Sequence, residues 1–193
     1  NSGSITLGTD VKFVYVGGVV GKTNNPLTVL SNLTNSGQIK STKGVRYLYM
    51  GGVIGHCSVY TISNLINEGE VNVTCIENSG KNTTMDLGGV IGLFDNSNAG
   101  TIDGTSDGTS DYNIVNKARV DFSYTTLIEY VYLSAGGVIG RLSAPATVKY
   151  IKNEAELVKF GAHNADDGDK DLTTYCGGII GVASKAGTTI ENC

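Results

Sequence analysis

Apolar residues alternate with polar ones in the strands that lead into five glycine-rich phrases. Val16, Met50, Leu87, Ala135 and Cys176 each stand before a Gly-Gly pair, and Tyr15, Tyr49, Asp86, Ser134 and Tyr175 stand one place earlier. A period of two marks β-strands, whose successive side chains point to opposite faces. Asp86 and Ser134 would be costly inside, so the second set faces out and the first faces in. Continuing that phase places Val20, Ile54, Ile91, Ile139 and Ile180 inside, with the second Gly of each pair. It leaves Val19, Val53, Val90, Val138 and Ile179 outside unless the Gly pair bends the strand. The bend is the simpler reading, because five outward aliphatics in a row would form an apolar stripe that needs a cover.

The phrases themselves are Gly-Gly-Val-Val-Gly at Gly17, Gly-Gly-Val-Ile-Gly at Gly51, Gly88 and Gly136, and Gly-Gly-Ile-Ile-Gly at Gly177. Their intervals are 51−17 = 34, 88−51 = 37, 136−88 = 48 and 177−136 = 41. Self-similarity at a spacing of about 20 to 50 residues is the mark of a stacked repeat protein. A second phrase recurs between them: Asn35-Ser-Gly37-Gln-Ile39, Asn67-Glu-Gly69-Glu-Val71, and the looser copies that open at Asn116, Asn153 and Asn1. A short apolar stretch precedes the copies, as in Leu30-Ser-Asn32-Leu33 and Ile62-Ser-Asn64-Leu65. Each repeat thus offers three short strands: one at the Gly-Gly phrase, one at the Ile-Ser-Asn-Leu stretch, one after the Asn-x-Gly turn. Helix signals are absent, since β-branched residues, Gly, Asn and Thr dominate. The expectation is an all-β, parallel, right-handed β-helix of about five coils forming a single domain, residues 1–193. The chain closes on Ile190-Glu-Asn192-Cys193, near the repeat phase at which it opens. That is read as an internal segment of a longer array, or as a unit whose ends abut head to tail.

Composition narrows the function classes. Charged residues are 17 %, below the usual ~25 %, and Gly is 27 of 193. An apolar share of 40 % is enough for a core. No run approaches the ~20 apolar residues of a membrane span. Net charge is −4, with no basic cluster beyond Lys40, Lys43 and Arg46, which argues against nucleic acid as a partner.

The Gly-Gly phrase, the Ile-x-Asn stretch and the Asn-x-Gly-x-Val turn together resemble the GLUG repeat of large bacterial surface proteins, among them adhesins and non-catalytic regions of immunoglobulin A peptidases. Thr189-Ile-Glu-Asn-Cys193 and Thr61-Ile-Ser-Asn-Leu65 carry the middle phrase of that repeat. The resemblance covers nearly the whole chain, with Val or Ile where Leu is usual and longer loops in the last three repeats. It implies a right-handed β-helix, a secreted or cell-surface location and repeats that do no catalysis.

Candidate chemistry is sparse. The asparagines at 1, 35, 67, 116 and 153 read as a ladder of stacked turn amides. Cys57 and Cys176 align with apolar positions of other repeats and read as buried thiols; the four cysteines (57, 75, 176, 193) hold no CxxC, and with two histidines a zinc site is not indicated. Two acidic loops stand out. One runs from Asp103 through Asp107 to Asp111. The other carries Asp166, Asp167, Asp169 and Asp171, and is the better candidate for calcium, which takes six to eight oxygen ligands; a solvated turn is the plainer reading of both. Asn32, Asn72 and Asn82 open Asn-x-Thr sequons, relevant to glycosylation only in a eukaryotic source. No cofactor is expected. Pectin-cleaving β-helices line one outer face with Asp, Arg or Lys; here the corresponding positions hold Tyr, Thr, Ser and Asn, so no catalytic site is assigned.

The leading expectation is therefore a non-catalytic extracellular structural or adhesive module of a cell-surface protein, whose partners are neighbouring repeats of the same or an identical chain, a host protein or a glycan. The alternatives are a self-stacking filament subunit and, third, a carbohydrate-binding or carbohydrate-active β-helix that uses Tyr15, Tyr49 and Tyr175 as sugar platforms.

Overall fold

The computed structural model describes residues 1–8, 12–25, 27–42, 45–77, 83–96, 98–105, 111–126, 130–155, 158–164 and 171–193. Among these, every element is a strand and every strand pairing is parallel. Parallel strands drawn from successive repeats are what a β-solenoid requires. No helix of the described residues is long and apolar enough to cross a membrane.

Four sheets form, each taking its strands from successive repeats in order. Sheet A holds Ile5–Leu7, Ile39–Ser41, Val71–Glu77, Val120–Thr126 and Val158–Asn164. Sheet B holds Phe13–Gly17, Tyr47–Gly51, Thr83–Gly88, Tyr130–Gly136 and Asp171–Gly177. Sheet C holds Val20–Thr23, Ile54–Cys57, Ile91–Phe94, Ile139–Leu142 and Ile180–Ala183. Sheet D is built from Val29–Asn35, Thr61–Asn67, the pair Gly100–Asp103 and Ile114–Asn116, the pair Ala146–Lys149 and Ile151–Asn153, and Thr189–Glu191.

Three strands per repeat was one too few. The Gly-Gly phrase is not a single strand: sheet B ends on its first Gly, and sheet C begins three residues later. The second Gly and the middle Val make the corner. That bend turns Val53, Val90 and Val138 fully inward, all at 0 % exposure. Val19, in the first repeat, remains 40 % exposed.

Sheet D has a bend of its own. Asn32, Asn64, Tyr150 and Asn192 occupy one column with φ of 57°, 49°, 54° and 50°. Asparagine tolerates this left-handed conformation better than most residues. The bend reverses the side-chain alternation, so Ile62 and Leu65, three residues apart, both reach the core at 0 % exposure. The long third repeat spends its extra length here. Ser63 and Leu65 are separated by one residue, whereas their register partners Asp103 and Ile114 are separated by ten, residues 104–113.

The interior is two cores. Val16, Met50, Leu87 and Ala135 of sheet B pack with Ile39, Val71, Val120 and Phe122 of sheet A. Ile54, Ile91, Ile139 and Phe94 of sheet C pack with Ile62, Leu65, Ile102 and Val148 of sheet D. Between them, sheet C presses on the backbone of sheet B at the last Gly of each phrase. A Cβ on Gly92 would meet Met50 N at 2.7 Å, and one on Gly140 would meet Leu87 N at 2.6 Å.

Candidate functional site

Two polar features run along the stack. The first is internal. Asn1 Nδ2 donates to Asn35 Oδ1 at 3.0 Å, Asn35 to Asn67 at 3.0 Å, Asn67 to Asn116 at 2.9 Å and Asn116 to Asn153 at 3.0 Å. Each of the first four amides also donates to the carbonyl two residues on, as Asn67 does to Gly69 at 2.8 Å. Asn35, Asn67 and Asn116 are fully buried, so these bonds satisfy groups that water does not reach. The ladder is structural, as its spacing implied.

The second feature is the outer face of sheet B, where two rows of side chains stand in register. One row is Phe13, Tyr47, Thr84, Tyr132 and Thr173; the other is Tyr15, Tyr49, Asp86, Ser134 and Tyr175. The rings of adjacent repeats stack. Phe13 lies on Tyr47 with centroids 4.5 Å apart and planes 9° apart, and Tyr15 on Tyr49 at 5.2 Å and 14°. Phe13, Tyr132 and Tyr175 are exposed.

The outward phase of the second row is as the alternation required, but outward does not mean solvated. Asp86 and Ser134 are buried because the corner folds a row of sheet C side chains over them. Arg141 Nε lies 2.9 Å from Asp86 Oδ1, while its N–H groups are aimed at Ser134 Oγ, which accepts from Nη2 at 2.9 Å and Nε at 3.3 Å. The contact with Asp86 is thus an ion pair without an aligned hydrogen bond to that oxygen. Burial pushes the Asp86 carboxyl up to about 6 against the opposing pull of Arg141 and Ser134. Burial, then the charge of Asp86, pushes the Tyr49 phenol up to about 12.

His56 closes the same groove one repeat earlier. Its ring lies 5.5 Å from Tyr15 and 6.0 Å from Tyr49, and both ring nitrogens are buried without a hydrogen-bond partner. Burial, and then Lys22, hold its pKa below the ordinary imidazole value. Lys22 Nζ sits 4.2 Å from the Tyr15 ring centroid and Arg46 Cζ 5.3 Å from that of Tyr47. Lys22, His56 and Arg141 were not singled out from the sequence. The signal was present, since each lies five places after the first Gly of its phrase.

Other sequence candidates fall elsewhere. Asp166, Asp167 and Asp169 lie outside the described residues; Asp171 opens a sheet B strand, and its side chain lies outside them too. Among the described residues no group of three His, Cys, Asp or Glu side chains is placed to hold a metal. In the other acidic loop the Asp103 carboxylate is already engaged: Oδ1 accepts from Thr105 N at 2.9 Å and Oγ1 at 2.8 Å, and Oδ2 meets Lys149 Nζ at 3.2 Å. Despite partial burial, which acts upward, those bonds hold its pKa low. Asn32 is exposed at the left-handed bend and accepts from Asn64 Nδ2 at 2.6 Å; Asn72 accepts from Thr74 Oγ1 at 2.7 Å; Asn82 lies outside the described residues. Cys57 is a buried free thiol whose pKa burial raises, whereas Cys176 and Cys193 are exposed free thiols, so the buried reading holds for Cys57 and fails for Cys176. Cys176 sits on the last strand of sheet B, Asp171–Gly177, beyond which no further strand pairs among the described residues.

No family model, curated protein or solved structure matches this chain.

Proposed function

We propose that the chain is a non-catalytic module of an extracellular or cell-surface protein: a right-handed β-solenoid of five GLUG-type coils that acts as a stiff structural or adhesive section. The observation that carries this reading is the asparagine ladder, a continuous line of side-chain hydrogen bonds from Asn1 to Asn153 that ties each repeat to the next. A chain with such lengthwise continuity is suited to holding a surface at a fixed distance and orientation. Its side chains on the outer face of sheet B are rings, hydroxyls and cations fixed by neighbours, which suits binding better than turnover. Secretion, adhesion and the repeat family are parts of the same proposal.

Antibodies raised against residues 1–193 and applied to intact and to permeabilised source cells test it. Labelling of intact cells is the expected result. Labelling that requires permeabilisation would overturn it.

A further inference from the structure

The stacked rings on sheet B change what that face can bind. Tyr15 and Tyr49 turn their faces to each other, as do Phe13 and Tyr47, so those faces are not free platforms for a sugar ring. What remains outward is ring edge and phenol hydroxyl. An aromatic ring is negative on its face and positive on its edge. The column therefore presents partial positive charge and donors, and full charges add to it. Lys22 is exposed and Arg46 half-buried, and neither takes part in an ion pair among the described residues. Asp86, the one carboxylate among the side chains described on that face, is 1 % exposed and neutralised by Arg141. In a chain of net charge −4 the charges described on sheet B's own outer strands are thus positive or sealed, and the exposed carboxylate that acts on the groove, Asp95, lies just past the sheet C strand Ile91–Phe94 on the His56 side.

We propose that the outer face of sheet B, from Phe13 and Tyr47 to Tyr132 and Tyr175 with Lys22 and Arg46 at its rim, binds a linear polysaccharide that carries carboxylates. Charge complementarity selects the acid, and the rows select the polymer. Equivalent positions recur at the strand spacing of about 4.8 Å along the stack, and four of the five repeats place a ring there, the third holding Thr84 and Asp86 instead. An extended polymer thus meets rings along the stack and cations at its Lys22 and Arg46 end, whereas a globular partner would use one patch. With Lys12, whose Nζ lies 5.1 Å from the Phe13 ring centroid, the rim carries three cations, few for a duplex, whose affinity rests on many phosphate contacts. The inference rests on the surface-module reading and adds a ligand class to it.

Affinity electrophoresis of the whole chain through gels containing sodium alginate tests it, with hydroxyethyl cellulose as the neutral polymer and dextran sulfate and duplex DNA as other polyanions. Alginate is expected to retard the chain and hydroxyethyl cellulose not. Lys22→Gln, an exposed change, and Lys22→Gln with Arg46→Gln are expected to raise the apparent Kd, the double variant by about tenfold, the scale of one good contact. Tyr132→Ser is expected to weaken retardation without altering the circular dichroism spectrum. Lys117→Gln with Lys152→Gln, whose lysines sit in ion pairs away from this face, is expected to bind as the parent does. No retardation by alginate, an equal loss in the Lys117/Lys152 control, or equal retention by dextran sulfate or DNA would each overturn the proposal. None of these results would alter where antibodies label the cell, so the surface-module reading stands or falls separately.

Discussion

Gly89 lies directly against the side chain of Asn116: a Cβ on Gly89 would come within 2.6 Å of Asn116 Cγ, and closer still to the carbonyl of Gly137. The same relation joins Gly52 to Asn67 and Gly137 to Asn153. The two phrases that recur along the chain are therefore one device. The Gly-Gly corner leaves the space that the turn asparagine fills, and the asparagine ties that corner's repeat to the next.

Gly89→Ala should accordingly destabilise the chain by about 3 kcal/mol, the upper range for overpacking a tight interior, because backbone as well as side chain blocks the new methyl. Gly178 holds the same place in the fifth repeat with nothing within 4 Å of its Cβ position. Gly178→Ala should stay within about 0.5 kcal/mol of the parent. Urea midpoints of the two variants check the contrast.

Asn67→Ala should cost about 1–3 kcal/mol, since it takes from the buried Asn35 amide one of its two acceptors and from Asn116 Oδ1 the donor on Asn67. Asn67→Asp should be worse. A carboxylate accepts but cannot donate to Asn116 Oδ1, and it places a charge where Asn67 is fully buried. Thermal melts of both variants measure the order.

Acid should act on Asp86 and His56 in opposite directions. The folded chain holds the Asp86 proton more tightly than the unfolded chain does, with a pKa raised from 3.8 to about 6. Its contribution to stability is therefore complete below about pH 4 and lost as pH rises through 6, a change of about 3 kcal/mol across the interval. His56 is held below its ordinary 6.5, so stability is lost as pH falls below 6.5. Relative to Asp86→Asn, the parent should gain stability between pH 6.5 and 4; relative to His56→Gln, it should lose stability below pH 6.5. Urea titrations at several pH values read both differences, and parallel curves for parent and Asp86→Asn would contradict the first.

The strand phase, the parallel pairing and the asparagine ladder were legible in the sequence because each is periodic: five copies of a position report its environment better than one. The bend at the Gly pair was legible, because five outward aliphatics would have needed a cover, and Val53, Val90 and Val138 do turn inward. What was not legible is that the residues past the bend, such as Ile54–Cys57, pair as a fourth sheet of their own. The bend at Asn64 was hidden likewise, because the stretch looks extended while its apolar residues, Ile62 and Leu65, are three apart. The charged groove was missed for a different reason. Alternation tells which way Asp86 points from its own sheet, whereas its burial depends on side chains such as Arg141 arriving from another sheet around the corner.

The central claim is that repeats of unequal length stack in strict register, the surplus falling between register partners, as between Asp103 and Ile114. Paired cysteines test it most directly. Thr101 and Thr147 are register partners on sheet D, within disulfide reach across adjacent strands, while Thr101 and Lys149 are two residues out of step and about 8 Å apart. The account predicts that Thr101→Cys with Thr147→Cys yields a cross-linked peptide pair by mass spectrometry after mild oxidation, and that Thr101→Cys with Lys149→Cys does not. Efficient cross-linking of the second pair, or of neither, would contradict it.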